Sequence, residues 1–211
     1  MKFILLLLGL SPWVFATDLY QNFAELSAVE PRGVTYRITN LRRDTDQTVL
    51  AIHAGNIEPG TSELSELVAG NDKNLYRFEG LKSENAFSLH ITSAHFDEPQ
   101  ALALTAGSRD CLSIHGFRGE ENVSAICVGG GNPRKAQELA GILRDSSLPF
   151  SVEYPCVPFP GAHPRNIVNR CQNQGAQVEL STALRKALLQ DPRLMRTLAL
   201  ELRKYFQISG P

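Results

Sequence analysis

No stretch of this sequence is apolar for long enough to span a bilayer, and no block of lysine and arginine breaks its charge balance. A membrane-spanning helix needs about 20 consecutive apolar residues. A nucleic-acid partner leaves a basic footprint, and here 21 basic residues stand against 22 acidic ones. Cys-x-x-Cys spacing is also missing, so the four cysteines do not read as a structural zinc site. Low-complexity segments and internal repeats are lacking too.

What is present begins with an export leader. Lys2 gives a positive start, residues 3–10 an apolar core, and Val14-Phe15-Ala16 a small-residue cleavage site before Thr17. Residues 1–16 are assigned to a signal peptide and 17–211 to one domain, exported to an extracellular or periplasmic space. About 195 residues remain, enough for a sizeable core, and loss of Lys2 leaves the net charge near −2. An anionic substrate must therefore meet a local basic site, because no global field attracts it. An even cysteine count after an export signal suggests two disulfides. Of three connectivities, this reading favours Cys111 with Cys127 and Cys156 with Cys171. Asn122-Val-Ser124 is a glycosylation sequon, meaningful only in a eukaryotic source.

The chain is organised around residues 49–63. An apolar run over 49–52 predicts a buried strand ending at His53, and Gly55 allows a sharp turn. Glu58 lies in that turn. Thr61 and Ser62 offer caps to a helix that stops at Gly70. One imidazole and one carboxylate thus sit at the carboxyl end of a strand, where open α/β sheets place their ligands, and both are good zinc ligands. Spacing alone favours a helix-capping glutamate and a half-buried histidine.

Elsewhere the pattern predicts a short helix over 19–26 and strands over 34–38, 75–78, 87–91, 112–115, 125–128, 150–152 and 177–180. Asn132-Pro133 predicts a helix to about Arg144, Pro164 a helix ended by Gly175, and Asp191-Pro192 a last amphipathic helix. Alternating strands and helices predict an α/β fold, a single domain with a mixed sheet flanked by helices.

Ser113-Ile-His-Gly116 repeats the strand, histidine and glycine of the organising stretch. His115 therefore joins His53 and Glu58 as a third candidate ligand, leaving a fourth position open. Its plainer reading is a core histidine. Glu179 lies in a strand whose alternation places it with Gln177 and Ser181, and it is the candidate general base. Arg170 could pair with a substrate carboxylate, and Arg118 could stabilise an oxyanion or bind substrate; either could equally be a solvated cation. Lys82 is a weaker anion contact, His90 is placed in a supporting role behind the ligands, and His163 in a loop.

Seven stretches occur in one order: Ala51-Ile-His-Ala-Gly-Asn-Ile-Glu-Pro-Gly-Thr-Ser-Glu63, Tyr76-Arg-Phe-Glu-Gly-Leu-Lys82, Leu89-His-Ile-Thr-Ser93, Phe96-Asp-Glu-Pro99, Ser113-Ile-His-Gly116, Asn166-Ile-Val-Asn-Arg170 and Gln177-Val-Glu-Leu-Ser181. Together they resemble the poly-γ-glutamate hydrolase family of bacteriophages and bacteria, across most of the mature chain. The resemblance implies a zinc hydrolase with a carboxypeptidase A-like core. It implies zinc on His53, Glu58 and His115, Glu179 as catalytic glutamate and, more loosely, Arg170 as a carboxylate binder. Ala54 departs from a usual glycine, which matters only if that position needs positive φ.

The expected activity is hydrolysis of γ-glutamyl amide bonds in an anionic polypeptide, poly-γ-glutamate, by a secreted monomer with Zn2+ as cofactor and neither nucleic acid nor membrane as partner. Two alternatives stand beside it. One is an amidase or peptidase on other γ-linked or N-acyl amino acids. The other is a secreted binding protein of the same fold without catalysis.

Overall fold

The computed structural model describes residues 18–208; the expected leader and its cleavage point lie outside the described residues. The strands are β1 (Tyr36–Leu41), β2 (Gln47–Gly55), β3 (Asn74–Gly80), β4 (Asp110–Phe117), β5 (Ala125–Gly130), β6 (Ser151–Glu153) and β7 (Gly175–Ser181). The helices are α1 (Phe23–Val29), α2 (Thr61–Ala69), α3 (Pro99–Ala106), α4 (Pro133–Asp145), α5 (Thr182–Gln190) and α6 (Pro192–Arg203). The strands form one seven-stranded sheet in the order β1-β3-β2-β4-β7-β5-β6. Its centre, β3-β2-β4-β7, is parallel, whereas β1 joins β3 and β5 joins β7 antiparallel. The expected α/β fold with a mixed sheet is the fold observed.

Strand alternation splits the core in two. Val49, Leu112, Ile114, Val178 and Leu180 pack under α2, α4, α5 and α6. Leu50 and Ile52 pack on the other face with α1, α3 and the segment around Ile167 and Val168. The helix signals read from sequence mostly hold. Asn132 caps α4 by accepting from the Lys135 amide, and Asp191 caps α6 through the Arg193 and Leu194 amides. Gly70 follows α2, and its backbone N–H donates to the Glu66 carbonyl.

Four local expectations change. Residues 87–91 do not form a strand; a short 3-10 turn spans Ala86–Leu89. The helix expected after Pro164 shrinks to one 3-10 turn, Ile167–Arg170, because Asn166 and Asn169 bond locally to loop backbone. Helices α3 and α5 were not expected, although each carries a start signal: Glu98 before Pro99, and Ser181 accepting from the Leu184 amide.

The disulfides are Cys111–Cys171 and Cys127–Cys156, with Cα separations of 6.1 and 5.1 Å. The expected pairing of Cys111 with Cys127 is overturned by the sheet order. Strand β7 lies between β4 and β5, so these two cysteines are on strands that do not touch. The first bridge ties β4 to the approach to β7. The second ties β5 to the loop leading to residues 159–163.

Candidate active site

The parallel centre of the sheet sends the carboxyl ends of β2, β4 and β7 to one edge. The β2–β4 pairing stops at Leu50 with Ser113, and beyond it the two strands part. A crevice opens at the point where parallel sheets bind ligands.

A bulge aims the first site residue. Between Ala51 and Ala54 the register of β2 on β3 shifts, with β2 carrying one extra residue. A bulge of this kind turns a side chain to the other face. His53 would alternate with Val49 and Ala51; the bulge puts it on the face of Leu50 and Ile52. His115 and Glu179 are register partners on adjacent strands and share that face. The left-handed turn then falls on Gly55, at φ 66°, and Ala54 is not among the positive-φ residues. The methyl that departs from the family pattern is accordingly tolerated. A Cβ on Gly55 would lie 2.5 Å from the Gly80 carbonyl oxygen.

The turn delivers Glu58 between the histidines. Its Oε1 is 3.1 Å from His53 Nδ1, and its Oε2 accepts the Gly116 amide at 2.7 Å. His53 Nδ1 and His115 Nδ1 are 3.1 Å apart. Their other nitrogens are engaged: His53 Nε2 donates to the Ile91 carbonyl at 2.9 Å, and His115 Nε2 meets Ser113 Oγ at 2.8 Å. A carbonyl only accepts, so the His53 proton sits on Nε2 and its Nδ1 lone pair faces inward. Two imidazole nitrogens and a carboxylate oxygen thus converge in a buried space, His53 being 3%, Glu58 6% and His115 2% exposed. Such a set is stable only around positive charge. A tetrahedral zinc ion with bonds of ~2.0–2.1 Å spaces its nitrogens by roughly 3.3 Å, close to what is found here.

The electrostatics agree. Burial opposes the His53 imidazolium, but the Glu58 carboxylate outweighs it and lifts the His53 pKa. Burial opposes the Glu58 carboxylate too, and His53 overrides it, holding Glu58 below its usual range. His115 is pushed down to about 3 by burial and by the His53 charge.

Glu179 stands beside this cluster, 7% exposed. Burial and then the Glu58 charge raise its pKa well above the usual carboxylate value. Its Oε1 accepts from Gln177 Nε2 at 3.0 Å, and Gln177 Oε1 accepts from Asn166 Nδ2 at 2.9 Å. The carboxylate is held in a fixed orientation by this chain.

The site opens into a cleft of about 970 Å³, walled by residues 159–163 on one side and by Phe87, His90 and Thr92 on the other. Arg118 lines it, as expected. Arg170 does not: it is exposed, and its Nε donates to the Arg165 carbonyl. Its neighbour Asn169 instead braces the wall, with Nδ2 donating to the Gly161 and His163 carbonyls. Lys82 is ion-paired with Glu30 at 2.5 Å and takes no part.

One site residue, Arg185, was not legible as such, and His90, expected behind the ligands, reaches the cleft itself. Arg185 on α5 reaches the cleft and donates to the Pro59 carbonyl at 3.0 Å, the Leu180 carbonyl at 3.3 Å and Thr182 Oγ1 at 3.1 Å. Gly116 makes room for it, since a Cβ there would lie 2.4 Å from Arg185 Nε. Only recognition of α5 at Ser181 could have brought Arg185 forward. His90 lies against His53 with ring centroids 4.0 Å apart, and His53, Glu58 and His90 form a group of potential metal ligands. Burial and the His53 charge lower its pKa.

Known proteins share this architecture. The UPF0714 protein YndL of Bacillus subtilis (strain 168) is 38% identical over 176 residues, covering 83% of this chain and 68% of that protein. The SPbeta prophage-derived UPF0714 protein YoqZ of the same organism is 35% identical, covering 83% of this chain and 63% of that protein. Among solved structures, a bacteriophage poly-gamma-glutamate hydrolase superposes with a TM-score of 0.84 at 31% identity, over 90% of this chain and 97% of that one. A zinc-free, apo form of YndL superposes at 0.82 and 33% identity, over 91% and 98%. Residues 20–206 match the family described as poly-gamma-glutamate hydrolase, and the chain belongs to that family.

Proposed function

We propose that this protein is an exported, zinc-dependent hydrolase that cuts γ-glutamyl amide bonds of poly-γ-glutamate. One observation carries the reading: the Nδ1 atoms of two histidines and the Glu58 carboxylate face one another, while the Nε2 atoms of both histidines are engaged. His53, Glu58 and His115 would hold the ion. The zinc-free description of the YndL structure supports that metal, and the name of the phage enzyme supports the substrate. Two disulfides and the leader read at residues 1–16 support export.

When bound, zinc supplies Lewis acidity, polarising a carbonyl and lowering the pKa of water toward ~7. Glu179 takes the proton of the attacking water on a carboxylate oxygen and hands it to the leaving amine. Its raised pKa makes it a stronger base than an ordinary carboxylate, which favours taking that proton. Gln177 and Asn166 hold the carboxylate still. Arg118 meets a substrate carboxylate at the rim. Arg185, already spent on backbone oxygens, holds the loop of Glu58 against the strand of Glu179.

Metal analysis of the purified mature protein tests this reading together with a chain-length assay on poly-γ-glutamate. One equivalent of zinc is expected in the wild type and none in His53→Ala or His115→Ala. Glu179→Gln is expected to keep its zinc and lose a factor of ~10²–10⁴ in kcat. Full turnover in Glu179→Gln removes it from the role of base. Wild-type protein that stays metal-free after reconstitution removes the enzyme reading altogether.

A further inference from the structure

His90 is held more firmly than a wall residue needs to be. Asp18 Oδ1 lies 2.6 Å from its Nδ1, and Asp18 Oδ2 accepts the Thr92 amide at 2.6 Å. The Asp18 side chain is 8% exposed. The ring is clasped between Phe87, stacked at 4.8 Å and 16°, and His53 at 4.0 Å. The next residue, Ile91, supplies the carbonyl that fixes the His53 tautomer. A carboxylate only accepts, so the Asp18 contact keeps a proton on His90 Nδ1. In the neutral imidazole, Nε2 then carries a lone pair. It has no hydrogen-bond partner among the described residues, and His90 lines the cleft.

We propose that His90 is a substrate-binding residue whose Nε2 accepts the N–H of the γ-amide being cut, with Asp18 as the residue that fixes it in this form. The inference rests on the hydrolase reading above. An acceptor-only nitrogen repels a carboxylate and attracts an amide N–H. In a substrate that carries one carboxylate and one amide N–H per residue, it therefore sets the register of the chain beside His53. A γ-linked glutamate chain presents this N–H at every bond; an ester at the same position does not.

The test compares a γ-linked glutamate oligomer with its counterpart in which the amides are replaced by esters, using the zinc-loaded mature protein. His90→Phe is expected to lose about tenfold in kcat/KM on the amide, the worth of one hydrogen bond, and little on the ester. His90→Gln, which restores an acceptor, is expected to recover part of the loss. Asp18→Ala is expected to follow His90→Phe in direction. Zinc content is expected to be unchanged in all three. Equal losses on amide and ester overturn the proposal and leave His90 as packing for His53. Loss of zinc from His90→Phe overturns it in favour of a ligand role. A wild type that cleaves neither oligomer overturns the hydrolase reading itself and the proposal with it, an outcome separate from any difference between variants.

Discussion

Glu179 is a carboxyl held out of water. Its folded pKa is raised by burial and by Glu58, so the folded state resists ionisation that the unfolded chain undergoes above ~4.3. Stability therefore falls as pH rises from that value toward the raised folded one. Glu179→Gln has no charge to bury. In chelator, its thermal midpoint should match the wild type near pH 4 and exceed it at pH 8, and equal midpoints at pH 8 would count against the raised pKa. Lys135 and Asp110 show the opposite case. Lys135 is 0% exposed and bonds Asp110 at 2.7 Å. Burial opposes the Asp110 carboxylate, but Lys135 and Asn173 hold its pKa below the usual range. Its contribution is complete above the unfolded value of ~3.9 and is lost as pH falls through the folded one. Lys135→Met removes the buried partner of that carboxylate and leaves it Asn173 and Arg109, at a cost of about 3 kcal/mol. Urea titrations should also show a smaller loss of stability on acidification in the variant, because without the lysine the folded Asp110 pKa is less depressed.

At the scale of elements, the site depends on ties between segments that are far apart in the chain. Arg185 joins the turn after Glu58 to the ends of β7 and β4 through Pro59, Leu180 and Phe117. Arg185→Met should retain the fold by circular dichroism and lose about 10–100-fold in zinc affinity, the usual effect of removing a support behind metal ligands. Chelator competition measures this; unchanged affinity would make Arg185 a packing residue only. The Cys127–Cys156 bridge anchors the strand beside Glu179 to the segment running into the cleft wall. Replacing both cysteines with alanine should cost about 2–4 kcal/mol of stability. KM for the polymer should rise more than kcat falls, because the wall binds substrate and does not carry the chemistry. These ties escaped the sequence reading for a common reason. Arg185 lies on a helix whose Ser181 cap was overlooked, and the cysteine partners depend on which strand lies between which.

At the scale of the whole molecule, one sheet edge gathers everything. The periodicity of apolar residues made the α/β class legible, and Asn132-Pro133 and Asp191-Pro192 marked two helices correctly because caps act through neighbours in sequence. His53, Glu58, His115 and Glu179 were legible as chemistry-bearing residues at strand ends. Their meeting was implied by the family resemblance and was not fixed by local rules, since it needs the parallel β2-β4-β7 order and the bulge at His53. Arg170 shows the converse: a charged residue in a matching motif that the fold leaves outside the cleft.

The sequence by itself determined which residue types stand where strands end and turns begin, because propensity, capping and alternation are local. Only the tertiary structure decided the disulfide pairing, the inward aim of both Nδ1 atoms, the place of Arg170 outside the cleft and of Arg185 within it, and the tie of Asp18 to His90. Each of these is a distance between residues remote in the chain, and local rules fix no such distance until the strands have been ordered.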